Sequence, residues 1–410
     1  MDKHSKGIVI LGSTGSIGTS ALDLVEQLNT MGGRTAEGSA RFRVLGLSAH
    51  RNLDRFAEQV RRFRPRIACI GTQDLATRLQ ERLGTNSTRI VWGLQGLLEV
   101  ATLEDAEFVL AGIVGAAGLE PTYAAVAAGK VVGLANKEAL VLAGDLMIST
   151  ARRSGASLLP VDSEHCAIHQ CLRGERTHEI RRLILTASGG PFFARPEADF
   201  RTITPAEALA HPTWVMGRKI SIDSATLMNK ALEVIEAHWL YGVPADRISV
   251  VIHPQSTIHS MVEFVDGSVI CQLGAADMRH PIQYALTYPD RTATPLAPVR
   301  MSDMEALTFA EPDRARFPCL DFGWRALKAG GTMPVVLNAS NEVAVAAFLD
   351  DGVRFDEIPR IIDTVMQAHK PGRASSIEGI LEADAWARLQ ASRTIEECRQ
   401  AGTSRSGGAN

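Results

Sequence analysis

Two carboxylates two residues apart, Asp162 and Glu164, emerge from the apolar run Leu158-Leu159-Pro160-Val161. In an extended strand that spacing turns both side chains to one face. Like charges that close repel unless a cation or a donor stands between them. A polar loop after a strand is the plainer reading of a lone Asp-x-Glu, so other stretches must supply the weight. One of them is Ser221-Ile222-Asp223-Ser224-Ala225-Thr226-Leu227-Met228-Asn229-Lys230-Ala231-Leu232-Glu233. Asp223 or Ser224 is expected to cap a helix with an apolar stripe of Leu227, Ala231, Val234 and Ile235. Asn229, Lys230 and Glu233 then share another face. That face is either solvated with a modest ion pair or functional. In the functional reading Ser224, Asn229 and Lys230 are donors for a phosphate monoester, and Glu233 is a third hard oxygen ligand. Three carboxylates without a thiolate or imidazole cluster point to Mg²⁺ or Mn²⁺ with positions open to substrate oxygens.

A second chemistry sits near the start of the chain. Ile8-Val9-Ile10-Leu11 reads as a buried parallel strand and leads into Gly12-Ser13-Thr14-Gly15-Ser16-Ile17-Gly18. Ala21, Leu22, Leu24, Val25 and Leu28 follow at helical spacing. Glycines let a backbone approach a pyrophosphate, and the helix N-terminus adds N–H donors. The spacing is GxxGxxG rather than GxGxxG, so the strand–loop–helix context carries the reading. The next strand, Phe42 to Ser48, ends in Ala49-His50-Arg51-Asn52. A fixed cation there suits a 2′-phosphate and hence NADP over NAD, against the simpler reading of Arg51 as a solvated residue near a helix start.

Three more stretches offer polar groups at strand ends. Asn136-Lys137-Glu138 follows Val131-Val132-Gly133-Leu134; it is either a helix N-cap with a first-turn acid or a set poised over ligand, Lys137 meeting a phosphate or a substrate oxygen. Ser188-Gly189-Gly190 is a turn or an anion nest. His211-Pro212-Thr213-Trp214-Val215-Met216-Gly217 lacks a regular period and reads as a flap that closes apolar surface over a polar ligand, or as a loop anchored by Trp214.

The elements that must position these residues follow from pattern. Ile67 to Ile70, Arg89 to Trp92 and Phe108 to Ala111 continue an alternation of strand and helix, which predicts a doubly wound sheet. Asp266-Gly267 between Met261 to Val265 and Ser268 to Gln272 predicts a hairpin. At 410 residues, 45% hydrophobic and only 5% aromatic, the chain suits two or three domains with tightly packed helix-on-sheet layers. A net charge of −3 without basic–aromatic runs argues against a nucleic-acid surface. Six scattered cysteines suggest a reducing cytosol, and His165, Cys166, His169 and Cys171 fit no common zinc spacing. No stretch reads as a signal peptide or a membrane span, so the expectation is a cytoplasmic protein that uses no membrane.

From about Gly7 to about Leu389 the chain resembles the 1-deoxy-D-xylulose 5-phosphate reductoisomerase family. GSTGSIG, VGAAGL, LANKE, LLPVDSEH, ASGGPF, HPTWVMGRKISIDSATLMNKALE and HPQSTIHSM stand in that order. The resemblance implies an α/β protein: an N-terminal Rossmann-like NADPH-binding domain over 1–161 and a central α/β catalytic and dimerisation domain over 162–286 with its flap at 208–218. A linker over 287–314, a C-terminal α-helical bundle over 315–400 and a disordered tail over 401–410 complete the expected division. It implies an NADPH-dependent oxidoreductase of isoprenoid precursor synthesis that isomerises a sugar phosphate and then reduces it. The rearrangement is either a retro-aldol cleavage with re-addition or a concerted shift. Asp162, Glu164 and Glu233 would hold Mg²⁺ or Mn²⁺, with Co²⁺ a further option. Lys137, Ser163, Glu164, Ser188, His211, Trp214, Ser224, Asn229, Lys230 and Glu233 would meet substrate. Thr14, Gly15, Ser16, Ile17, His50, Arg51, Asn52, Asn136, Glu138 and Gly217 would meet NADPH. His50 departs from the glycine common in the family. A polar insertion around 30–40 stands away from the chemistry, and the family forms homodimers. A plain NADP dehydrogenase would leave the carboxylates unexplained, and a non-catalytic NADPH sensor would have no need of them.

Overall fold

The computed structural model describes residues 5–31, 41–195, 199–214, 216–304 and 306–406. Most of the polar insertion, Val215 of the flap and the last four residues of the tail lie outside that set. The chain forms two compact units: Met1–Ala139 with Met147–Cys166 and Asp277–Val299, and Leu140–Leu146 with Ala167–Ala276 and Arg300–Asn410.

The first unit alternates strand and helix: β1 (Lys6–Leu11), α1 (Ser16–Met31), β2 (Phe42–Ser48), α2 (Leu53–Phe63), β3 (Ile67–Ile70), α3 (Gln73–Leu83), β4 (Arg89–Trp92), α4 (Gly93–Ala101), β5 (Phe108–Ala111), α5 (Leu119–Ala127), β6 (Val131–Leu134), α6 (Lys137–Ser154) and β7 (Ser157–Pro160). All seven strands are parallel, in the order β4-β3-β2-β1-β5-β6-β7. The order reverses between β1 and β5, the place where open parallel sheets leave a crevice for ligand. Ile8, Val9, Ile10 and Leu11 are buried on both faces, which is why β1 reads as an unbroken apolar run rather than an alternating one.

The contact units divide the chain elsewhere than at the expected boundaries: 140–146 group with the second unit, and 162–166 and 277–299 with the first. Helix α11 (Arg279–Thr287) packs into the first unit through Ile282, Ala285 and Leu286, and Lys6 Nζ donates to Leu286 O at 2.9 Å. Residues 277–286 therefore fold with the first unit and not with the central domain. The cause is an apolar face that returns from far along the chain, which no local composition announces. Within 287–314, Ala310 and Ile252 exchange backbone hydrogen bonds of 2.8 and 3.0 Å, so part of the expected linker is tied to a strand.

The second unit contains a mixed sheet in the order β11-β10-β8-β9, built from β8 (Ile180–Ala187), β9 (Ile248–Ile252), β10 (Ile258–Phe264) and β11 (Val269–Leu273). The β10–β11 hairpin stands where Asp266-Gly267 predicts it. Helix α7 (Ser163–Cys171) runs from the first unit into the second. The second unit also holds α8 (Pro205–Leu209), α9 (Arg218–Ala225), α10 (Met228–Tyr241), α12 (Cys319–Ala329), α13 (Met333–Leu349), α14 (Ile358–Ala368) and α15 (Ile377–Ser406). Leu183, Leu185 and Val250 of the sheet share one core with Leu232 and Ile235 of α10, Val336 and Phe348 of α13 and Ile362 of α14. A Cβ on Gly323 would lie 2.4 Å from Ala231 O, so α12 can approach α10 only as glycine. Helix α15 continues to Ser406, beyond the expected end near 400, because each further residue adds a backbone bond to an existing helix. Among the described residues no helix is long and apolar enough to cross a membrane.

Candidate active site

In the first unit the glycine loop is shaped by contacts that exclude side chains. Gly12 has φ +77°, and a Cβ there would lie 2.7 Å from Gly112 O in the loop after β5. A Cβ on Gly18 would lie 2.4 Å from Gly12 O. Gly12 N–H donates to Ser48 Oγ (3.0 Å) and Ser13 N–H to Ser48 O (2.8 Å). Ser13 Oγ donates to Gln59 Oε1 (2.7 Å) while Gln59 Nε2 donates to Ser13 O (2.8 Å), which rivets the loop to α2. Thr14 and Gly15 thus stand at a fixed turn, and Ser16 and Ile17 open α1. This cradle, which a Cβ would fill, fits a dinucleotide pyrophosphate.

Arg51 and Asn52 follow β2 at the same edge of the sheet. Asn52 caps α2, its Oδ1 accepting from Arg55 N–H at 3.2 Å, and Arg51 is exposed. His50 O accepts from Gly71 N–H at 3.1 Å, so this residue holds the neighbouring strand end through its backbone.

Beyond β6, Asn136-Lys137-Glu138 opens α6, as the capping reading expects. Asn136 caps α6 by accepting from Ala139 N–H (3.1 Å), and its Nδ2 donates to Gly115 O (3.1 Å) and to Glu138 Oε2 (2.9 Å). A Cβ on Gly118 would lie 2.7 Å from Asn136 Oδ1, so the VGAAGL loop exists to admit that amide. Lys137 Nζ lies 2.5 Å from Asp162 Oδ2.

The Asp-x-Glu pair converges by a route other than strand alternation. Strand β7 ends at Pro160, and Asp162 O accepts from Cys166 N–H (2.8 Å), the first bond of α7. Glu164 is therefore a first-turn helical residue, and Ser163 Oγ donates to its Oε2 at 2.6 Å. Carboxylate oxygens of Asp162 and Glu164 lie within 4.8 Å of each other. These hard oxygens fit a divalent cation, and the Lys137 ammonium already stands against one of them as positive charge.

In the second unit β8 ends in Ser188. Two backbone N–H groups, of Thr213 (3.1 Å) and Trp214 (2.9 Å), donate to His211 Nδ1. Nε2 must then carry the ring proton and donate to Ser188 Oγ at 2.9 Å. Gly190 N–H also donates to that oxygen (3.2 Å), which leaves the Ser188 O–H to face a ligand acceptor. Burial holds His211 below the ordinary histidine value, in keeping with a neutral ring. A Cβ on Gly190 would lie 2.7 Å from Ser224 O, so the Ser188 loop and the end of α9 touch backbone to backbone.

The predicted single helix is two. Asp223 and Ser224 lie inside α9 rather than at a cap, and Leu227, at φ +58°, turns the chain into α10. A left-handed non-glycine costs on the order of 1–3 kcal/mol and is held here by burial of its side chain. On α10 the predicted face is real: Asn229 Nδ2 and Lys230 Nζ each donate to Glu233 at 2.5 Å. In the flap, the Trp214 ring centroid lies 6.3 Å from that of His259, while Met216 is half-buried and Gly217 caps α9.

Three residues escaped the sequence reading. Glu236, one turn beyond Glu233, is fully buried. His165, set aside with the zinc spacing, is buried in α7 with a ring nitrogen within 4.8 Å of an Asp162 oxygen. Asn341 bonds the buried Asp223, and its signal was the polar run Asn338, Ser340, Asn341 and Glu342 between the apolar ends of α13.

A parallel sheet whose glycine loops meet at the switch point, with charged groups along the same edge, defines a dinucleotide-binding α/β protein of the oxidoreductase type. Family models described as 1-deoxy-D-xylulose 5-phosphate reductoisomerase, its C-terminal domain, and DXP reductoisomerase C-terminal domain match residues 8–144, 158–241 and 273–390. The 1-deoxy-D-xylulose 5-phosphate reductoisomerase of Chlorobium phaeobacteroides (strain BS1) is 51% identical over 93% of this chain and 98% of its own. A solved structure of the Zymomonas mobilis reductoisomerase in complex with NADPH superposes with a TM-score of 0.88 at 42% identity, covering 96% of this chain and all of that one. Another, of a reductoisomerase with NADPH, fosmidomycin and magnesium, gives 0.90 at 38% identity, covering 96% and 99%. This chain belongs to the 1-deoxy-D-xylulose 5-phosphate reductoisomerase family.

Proposed function

We propose that this protein isomerises 1-deoxy-D-xylulose 5-phosphate and reduces the rearranged aldehyde with NADPH to 2-C-methyl-D-erythritol 4-phosphate, in the non-mevalonate route to isoprenoid precursors. The observation that carries the reading is that the cofactor cradle and the paired carboxylates occupy one edge of one sheet. The glycine loop follows β1, Lys137 follows β6, and Asp162 and Glu164 follow β7. A reductase alone needs the first of these; a rearrangement that passes through oxyanions needs the others.

Thr14, Gly15, Ser16 and Ile17 present backbone and hydroxyl donors to the pyrophosphate. Arg51 and Asn52, with His50 beside them, meet the 2′-phosphate end. Asn136, Glu138 and Gly217 complete the cofactor contacts. Asp162 and Glu164, joined by Glu233, hold the divalent ion, Mg²⁺ or Mn²⁺. When bound, the ion supplies a Lewis acid and NADPH supplies hydride. Ser188, Ser224, Asn229 and Lys230 grip the phosphate, whose binding energy orients carbons that it does not touch. His211 keeps the Ser188 hydroxyl aimed, Ser163 and Lys137 contact the reacting oxygens, and Trp214 with Met216 excludes water.

The same reading takes the protein as a cytoplasmic homodimer. Among the described residues β11 is an edge strand of its sheet, and it exposes Val269 and Ile270, apolar side chains that a second copy would cover. Light scattering checks this: a mass twice 44.2 kDa supports it and a monomer sinks it.

The deciding assay follows loss of reduced-nicotinamide absorbance with 1-deoxy-D-xylulose 5-phosphate, in Mg²⁺ and in EDTA, for wild type and Glu233→Gln. Turnover that needs metal and collapses in the variant supports the assignment. Full turnover in EDTA revives a plain dehydrogenase, and NADPH binding without turnover favours a sensor.

A further inference from the structure

We propose that Asn341, on α13 of the C-terminal helices, is a positioning residue for the phosphate grip, acting through Asp223. The proposal rests on the reading of Ser188 and Ser224 as phosphate contacts. Helix α13 is apolar over most of its length, and Asn341 is wholly buried in it. Its Nδ2 donates to Asp223 Oδ1 at 2.8 Å, while its own Oδ1 has no hydrogen-bond partner among the described residues. The amide cannot turn over to satisfy that oxygen without pointing it at a carboxylate. A leucine of similar size would bring no unsatisfied acceptor of its own into the core, so packing alone does not account for an asparagine here. What the amide does is hold Asp223.

Asp223 is itself almost completely buried, and its other oxygen lies 2.8 Å from Lys219 Nζ. The carboxylate therefore clamps the first turn of α9 to its last. Its charge also reaches Cys319 of α12, whose thiol is raised chiefly by burial and further by Asp223. The next residue is Ser224. Its carbonyl oxygen lies 2.7 Å from where a Cβ on Gly190 would sit, and Gly190 N–H donates to Ser188 Oγ. One continuous set of contacts thus runs from Asn341 through Asp223 and Ser224 to Ser188. Removing the amide frees the end of α9 to shift, and a misplacement of about 1 Å is enough to disable the two phosphate donors.

The test uses the full chain with saturating NADPH and Mg²⁺, comparing wild type, Asn341→Leu and Asn341→Asp. Asn341→Leu should raise KM for 1-deoxy-D-xylulose 5-phosphate by about tenfold or more with a smaller change in kcat. NADPH affinity, read by fluorescence, should stay unchanged. In Asn341→Asp two carboxyls must share a proton. KM should therefore be near normal at low pH and climb as pH rises, a profile that wild type lacks. Wild-type KM and a wild-type pH profile in both folded variants would overturn the proposal. So would a parallel loss of Tm and NADPH affinity with no preferential effect on KM. Should wild type fail to turn over this substrate, the functional reading falls alone. Titration with inorganic phosphate then still decides: weaker binding by Asn341→Leu supports the positioning role and equal binding removes it.

Discussion

Lys230 Nζ lies 2.5 Å from Glu233 Oε2, one turn along α10, with both side chains nearly inaccessible to solvent. The first unit repeats the arrangement with Lys137 and Asp162, also at 2.5 Å. In each pair a lysine assigned to substrate neutralises a carboxylate assigned to metal. If a divalent ion took over each carboxylate, as proposed above, its lysine would be released toward a phosphate or substrate oxygen. Buried ion pairs contribute little net stability when whole, yet breaking one leaves an uncompensated charge that costs about 3–5 kcal/mol.

Lys230→Met should therefore destabilise the protein by about that amount, and Lys230→Met/Glu233→Leu by much less than the sum of the two single changes. Urea denaturation of the four proteins in EDTA measures the coupling. Additive losses would mean that the pair is not coupled. Added Mg²⁺ should raise the Tm of Lys230→Met more than that of wild type, since the ion restores a positive charge beside Glu233.

Arg51 is exposed at the end of β2, and no acid follows that strand before α2 begins. A hydrogen bond between charged groups contributes on the order of 1.5–3 kcal/mol, or about 10- to 100-fold in affinity. Arg51→Glu should weaken NADPH by that factor and leave NADH unchanged or improved. Kinetics with both cofactors read the switch; equal losses for the two would place Arg51 outside the 2′-phosphate contact.

Legibility in the sequence tracked the range of the interaction concerned. Strands β3, β5 and β6 stand where their apolar runs put them, because a doubly covered parallel strand announces itself locally, and the exposed edge strand β4 also falls at its expected place. The Asn229, Lys230 and Glu233 face was legible for the same reason, being a matter of helical spacing. Asp162 and Glu164 were found for a wrong geometric reason. The strand stops at Pro160, and the turn into α7 rather than a two-residue period brings them together. The break at Leu227 was invisible, since only burial from distant elements can hold a leucine at positive φ. Neither the Asn341–Asp223 bond, 118 residues apart in sequence, nor the return of α11 to the first core has a local signature.

Burial holds folded His211 below the ordinary histidine value, and its Nδ1 accepts two backbone N–H groups that a protonated ring would have to release. Above the unfolded value of about 6.5 neither state binds the proton and stability does not depend on it. As pH falls through that value the unfolded chain gains a proton that the folded ring resists, so stability is lost down to the lowered folded value. His169, His280 and His369 are lowered in the same direction, so the site is isolated by comparing wild type with His211→Gln. Denaturation midpoints at about pH 8 and about pH 5.5 should show a larger fall for wild type. Equal falls would remove His211 as the titrating group. Crystal or NMR data at the lower pH should also show Thr213 and Trp214 N–H released from the ring.

Gly18 separates the cofactor loop from the core that supports it. Its missing Cβ would lie 2.4 Å from both Gly12 O and Ser13 Cα, backbone atoms that cannot yield as a flexible side chain would. Gly12 is in turn pinned by Ser48, and Ser13 by Gln59, so a Gly18→Ala change must push α1 away from β1 or distort the loop. Overpacking of this kind costs about 1–3 kcal/mol, and the larger effect should be on NADPH, because the loop is what the pyrophosphate would touch. Gly15→Ala is the control: its Cβ would lie 3.3 Å from Gly12 O, close enough to be felt but open to a small adjustment. Fluorescence titration should rank NADPH affinity as wild type, then Gly15→Ala, then Gly18→Ala. Undiminished binding in Gly18→Ala would mean that the pyrophosphate does not depend on this turn and that the cradle lies elsewhere along the sheet edge.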